Sequence, residues 1–149
     1  MNARQPNAAV QFSRLLSRFP PEIIALVKRC LPKLRRALPG SNQLVYNYAS
    51  SLMVAFSMSE RGYEAIVALA IFPRWVRLYF DKSLPDPKGL LQGSGTKVRS
   101  VILKAASDLD HGDIHTLIKA AIKRSGVTFP RTRTNRMVIK SESVKRRRR

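Results

Sequence analysis

The sharpest segregation of apolar and polar positions in the chain lies over residues 21–38. On a wheel at about 100° per residue, Ile23, Ile24, Leu26, Val27, Cys30, Leu31, Leu34 and Leu38 fall on one half. Lys28, Arg29, Lys33, Arg35 and Arg36 fall on the other. Such a stripe predicts a helix with one face in the core and one face solvated and cationic. Pro21 suits the first helical position, and Glu22 sits beside the positive end of the dipole. Pro32, well inside the pattern, predicts a kink or a division into two short helices. Upstream, Phe12, Leu15, Leu16 and Phe19 have helical spacing. They predict a short first helix ending at Pro20-Pro21, behind a polar, uncapped and frayed lead-in over residues 1–10.

From Leu44 to Asp81 the period shortens to two. Leu44–Tyr48 reads as one strand and Leu52–Met58 as another, the second with Leu52, Val54, Phe56 and Met58 on one face. Ser59-Glu60-Arg61-Gly62 is a turn signal. Ala65–Phe72 is apolar on both faces, as a central strand is, and Pro73-Arg74 leads directly into Trp75–Asp81. In that strand Val76, Leu78 and Phe80 alternate with Trp75, Arg77 and Tyr79. Links this short cannot join parallel neighbours, which need crossovers of about a dozen residues or more. A Pro- and Gly-rich loop over residues 84–97 precedes a further strand, Val98–Leu103. The last helix is predicted to begin near Asp110, with Asp113 in a capping-box-like arrangement and a stripe of Ile114, Leu117, Ile118, Ala121 and Ile122.

The expected fold class is therefore α+β: an antiparallel meander of about five strands flanked by N-terminal and C-terminal helices, in a single domain over residues 11–127. One face of such a sheet can be covered by helices while the other stays partly open. In residues 128–149, Met137-Val138-Ile139 offers an edge strand, and the remainder reads as a basic, mostly disordered tail.

Composition changes this picture in one respect. The 149 residues suffice for one domain with a real core, and they carry 28 Lys and Arg against 9 Asp and Glu, a formal charge of +19. Residues 131–149 hold nine of the basic residues, including the run Lys145, Arg146, Arg147, Arg148 and Arg149, and a single acid, Glu142. The remainder is basic in its own right. Such a field attracts polyanions, nucleic acid first among them, and clustered Lys and Arg gain affinity by releasing counterions. The single cysteine, Cys30, excludes an intramolecular disulfide and every multi-cysteine metal site, and its apolar neighbours predict a buried, inert thiol. The start of the chain lacks the continuous apolar core of a secretory signal, and the longest apolar run, Ala65–Phe72, falls far short of the ~20 residues of a membrane span. A cytoplasmic location is expected.

Several constellations could carry chemistry. His111 and His115 stand one helical turn apart and form a candidate divalent-metal pair, although His-Gly-Asp-Ile-His is not a metalloprotease motif. Gly93-Ser94-Gly95-Thr96-Lys97 could form a backbone nest for an anion, with Gly93 and Gly95 giving the bend and Lys97 and Arg99 the charge. Lys28, Arg29, Lys33 and Arg36 form a second cationic surface on the helix over residues 21–38. Trp75, Arg77 and Tyr79 share one strand face, as do Tyr46 and Tyr48, and aromatic rings with Arg on an open sheet can stack bases. No nucleophile–base pair and no dinucleotide fingerprint is present, so the sequence gives no support for an enzyme and implies no cofactor.

The stretches Leu44-Val45-Tyr46-Asn47-Tyr48, Phe72-Pro73-Arg74-Trp75-Val76 and Leu84-Pro85-Asp86-Pro87-Lys88-Gly89-Leu90-Leu91-Gln92-Gly93-Ser94-Gly95 carry a family resemblance. With Val98-Arg99, the final helix and Val138-Ile139-Lys140-Ser141, they resemble the YdhG-like domain of unknown function over about two thirds of the chain. The resemblance implies a helix-flanked antiparallel sheet, and it draws Asp86 into a candidate surface or pocket with Trp75, Arg77 and Tyr79. One branch of that family is described as a frataxin-like iron chaperone, which implies an acidic ridge on the early helix and first strand. Here the early helix offers Glu22 against five basic residues, which would repel a hard cation. The expected function is therefore a small binding domain that engages nucleic acid or another polyanion, with a frataxin-like metal carrier as the alternative.

Overall fold

Asn7 opens the first helix: its side-chain oxygen accepts the amide of Val10 at 2.9 Å, and α1 runs over Ala8–Leu16. The computed structural model describes residues 7–130 and 134–141. The lead-in expected to be uncapped thus contains an N-cap and the first turn of a helix. The second helix, α2 (Pro21–Ala37), has Pro21 at its first turn with Glu22, and it continues unbroken through Pro32. Cys30, Leu31 and Leu34 are buried around that proline. Packing of this apolar face outweighs the single backbone bond that Pro32 cannot make, so the helix is not divided.

Five strands follow: β1 (Asn42–Asn47), β2 (Leu52–Ser57), β3 (Val67–Ile71), β4 (Val76–Asp81) and β5 (Val98–Leu103). Each pairs antiparallel with the next, as the short links require from β1 through β4; the longer loop over residues 82–97 imposes no such limit on β5. β3 is shorter than the apolar run because Gly62–Glu64 forms a 3₁₀ turn ahead of it. A sixth strand, β6 (Arg136–Ser141), takes in the Met137-Val138-Ile139 stretch that offered an edge strand, and it pairs parallel with β1 at the edge of the sheet. The sheet order is β5-β4-β3-β2-β1-β6, so the sheet is mixed rather than purely antiparallel. Link length constrained only neighbours in the chain. Nothing of that kind limits two strands at opposite ends of it.

Between β5 and β6 runs α3 (Gly112–Ser125). It starts two residues later than the sequence pattern suggests. Asp110 is drawn to Lys33 at 2.6 Å, and Asp108 accepts the amides of Lys104 and Ala105 ahead of the 3₁₀ turn Ala106–Leu109. Gly126, at φ 71°, ends α3 in the left-handed conformation that only glycine adopts without strain.

The register sorts the sheet into two faces. Val45, Val54, Leu69 and Leu78 align across four strands and pack with Leu16, Val27, Leu34, Leu117 and Ile118 of the three helices. All three helices thus serve the same core. On the other face Leu44, Ala55 and Ala68 align, joined by Tyr46, Met53, Tyr79 and Val138, and no helix contributes to this cluster.

Candidate functional site

The uncovered face has a valley down its middle. The register places Ala55 and Ala68 side by side between Leu44 on β1 and Tyr79 on β4. Three strand spacings of about 4.8 Å make the valley about 14 Å across. Methyl side chains form its floor, and rings stand at its edges. Tyr46 and Tyr48, two apart on one strand face, stack with centroids 6.4 Å apart and planes 11° apart.

The connection between β2 and β3 folds over one side of this face. Asn42 donates to the Ser59 carbonyl at 2.9 Å, and Glu60 accepts Arg136 of β6, with Lys140 3.9 Å away. Gly62 then rests on the Tyr46 hydroxyl so closely that a Cβ there would lie 2.5 Å from the oxygen. Tyr63, 83% exposed, projects from the same turn. On the opposite side β5 begins with Val98, beside Thr96 and Lys97, and the Lys82 amide donates to the Lys97 carbonyl at 2.8 Å.

Between these walls lies a groove of about 680 Å³, lined by Tyr46, Tyr48, Tyr63 and Tyr79. They are the four tyrosines of the chain. The volume falls within the range of small-ligand sites. Lys82 and Lys97 stand at its mouth, and neither makes an ion pair among the described residues. Asp81 shares this rim, but it is already engaged. It accepts the Ser83 amide at 3.0 Å and the Ser83 hydroxyl, and these bonds, with Arg124 and Lys82 nearby, hold its carboxyl below the usual range. Burial, reinforced by Tyr48, pushes the Tyr46 phenol above its ordinary value against an opposing bond from the Gly62 backbone.

Further along β4 the same face carries Trp75, 39% exposed in the turn from β3. The guanidinium of Arg77 lies 5.0 Å from its ring centroid and that of Arg74 5.8 Å. Arg77 is held in place by the Ser100 hydroxyl at 3.0 Å and the Gln92 side-chain oxygen at 3.2 Å.

The structure thus brings Trp75, Arg77, Tyr79 and Lys97 to one surface with Tyr46 and Tyr48. Asp86 is elsewhere. Its two oxygens accept the amides of Leu90 at 2.9 Å and Leu91 at 2.8 Å, so it staples its own loop. Gly93 and Gly95 do not form the expected anion nest. Arg99 donates to the carbonyls of Gly95 and Val98, so the loop turns acceptors toward a cation. The cations of α2 lie on the helical side of the sheet. Lys28, Arg29 and Arg36 are exposed, Lys33 is taken by Asp110, and Arg35 bonds Gln43 at 2.9 Å. His111 precedes α3, and His115 Nδ1 lies 2.9 Å from the Leu109 carbonyl. Among the described residues no group of three His, Cys, Asp or Glu is placed to hold a metal ion. Cys30 is buried, which together with Asp108 pushes its thiol up to about 12, with Lys33 opposing. Lys145, Arg146, Arg147, Arg148 and Arg149 lie outside the described residues.

Tyr63, Met53, Ala55, Ala68 and Lys82 complete the groove without having been singled out by sequence. One signal for them was present. Ala55 and Ala68 are small residues in otherwise bulky strands, at positions that register sets beside Tyr79.

Comparison with protein families, with characterised proteins and with solved structures finds no match. The YdhG-like resemblance accordingly rests on its motif residues. Among the described residues no helix is long and apolar enough to cross a membrane.

Proposed function

We propose that this protein is a binding domain, not an enzyme, and that it takes single-stranded nucleic acid on the uncovered face of its sheet. The supporting observation is the groove itself, with four tyrosines around an alanine floor and two lysines at the mouth that make no ion pair among the described residues. A base has a π-face that stacks on such rings whatever its identity, while its phosphate meets the lysines. The charge of +19 adds a sequence-independent attraction. The iron-carrier alternative finds no support on α2, where exposed Lys28, Arg29 and Arg36 would repel a hard cation.

The test is fluorescence anisotropy with labelled single-stranded oligothymidylate across a salt series. Binding at low salt that weakens as salt rises is expected. Tyr79→Ala should weaken it by about 5- to 150-fold, the equivalent of about 1–3 kcal/mol per stacked base. Lys82→Ala and Lys97→Ala should each lower the salt slope by about one. If polyglutamate, an anion without bases, competes equally well, stacking is not the mode of recognition. No binding even at low salt would end the proposal altogether.

A further inference from the structure

Resting on that proposal, we infer that Trp75 is a second base platform, and that the bound strand runs along β4 with one base in the tyrosine groove and another on the indole. Trp75, Arg77 and Tyr79 alternate on one face of β4 and its leading turn. Four residues at about 3.3 Å each separate the two aromatic positions by about 13 Å along the strand. Arg77 stands between them.

Three features point to a ligand rather than to packing. The indole is 39% exposed, whereas the strand-borne rings of this face, Tyr46, Tyr48 and Tyr79, are partly buried. Its ring is attended by Arg77 at 5.0 Å and Arg74 at 5.8 Å, which places two cations over an exposed indole. Arg77 is also oriented by neutral partners, Ser100 and Gln92, and makes no ion pair among the described residues. A guanidinium so held can meet a phosphate while its plane stays against the ring. Arg74, Arg77, Lys82 and Lys97 border this path, and a polyanionic strand complements them. A peptide of Asp and Glu alone would match the charges but carries no aromatic ring to stack on the indole.

Two platforms on one strand act as linked sites. A ligand that spans both gains from the effective concentration at the second. A mononucleotide reaches one platform only. Trp75 is the single tryptophan of the chain, so its emission reports this position alone.

The experiment titrates the full chain with thymidine monophosphate and with oligothymidylates of increasing length. Tryptophan emission and affinity are both followed. Emission should stay unchanged with the mononucleotide and be quenched once the oligonucleotide bridges the platforms, with a rise in affinity of about tenfold or more at the same length. Trp75→Ala should abolish that rise, and Trp75→Phe should keep most of it. Circular dichroism and a thermal melt confirm that each variant folds. Oligonucleotides that bind without quenching, and whose affinity ignores Trp75→Ala, would overturn the second platform while leaving the proposed function standing. Quenching by the mononucleotide, with no rise in affinity at any oligonucleotide length, would overturn the linkage between the two platforms. A chain that binds no oligonucleotide at all removes the proposed function, and this inference with it.

Discussion

Leu69 and Ala68 are neighbours on β3 and belong to two different surfaces. Leu69 is fully buried against the helices, in a cluster that draws on every helix and on β1 through β5. Ala68 faces the other way, into a cluster of strand residues that no helix covers. The two faces share one backbone but use side chains oppositely. Bulky aliphatic residues on the helical side fill space, because interior packing leaves little void. On the uncovered side small residues at the centre leave space, and rings at the margin define its shape. A continuous apolar strand such as Val67–Ile71 therefore serves two surfaces, the helical core on odd positions and the opposite sheet face on even ones.

The largest expected effect breaks the helical side. Leu69→Ala should cost about 2–5 kcal/mol, read as a fall in the urea midpoint, because the cavity has rigid walls on both sides. Ala68→Leu, one residue away, fills the groove and should cost about 1–3 kcal/mol at most, less than Leu69→Ala, while lowering oligonucleotide affinity at least about tenfold. Equal stability losses from the two would mean that the faces are not distinct. Next in size is Asn135→Ala. The Asn135 amide donates to the carbonyls of Leu38 and Ser41 and to the Ser41 hydroxyl, joining the entry of β6 to the end of α2. Its loss should cost about 1–3 kcal/mol and raise hydrogen exchange in β6 before the central strands.

A smaller effect compares charges on the two sides. Lys28→Gln with Arg29→Gln on α2 should lower affinity for all polyanions alike, polyglutamate included, whereas Lys82→Ala with Lys97→Ala should act on nucleic acid above all. Competition binding separates the two outcomes. The smallest is spectroscopic. Tyr46, with its phenol raised above 10.0 by burial, should ionise late in an alkaline titration, and Tyr46→Phe should remove that late component. Since the folded state favours the neutral phenol, its contribution to stability is complete below pH 10 and is lost as pH rises through the raised value.

Alternation was enough to read β1 through β4 because their links are short, and β5, beyond the long loop over residues 82–97, matches its expected span, Val98–Leu103. The sequence could not reveal the partner of β6. Met137-Val138-Ile139 looked like an edge strand, but its parallel pairing with β1 depends on where the chain returns, not on local pattern. The groove was legible in part. Tyr46, Tyr48, Trp75, Arg77 and Tyr79 declared themselves by parity, whereas Tyr63 and Lys82 join through loop placement. Asp86 and the glycine bend misled because side chains there serve the loop's own backbone, and residue type does not distinguish a ligand's partner from a neighbour's.

Asn135 and Ser41 meet across 94 positions of chain, and β6 closes the edge of β1 from that same distance. During synthesis, β1 emerges long before its outer neighbour exists, and loop closure over such a span is slow. The nascent meander therefore spends time with a bare row of backbone donors and acceptors along β1, a ready template for pairing with another chain. A chain cut after residue 130 would keep that edge open permanently, so solubility, more than binding, is where the last strand should first make its absence felt.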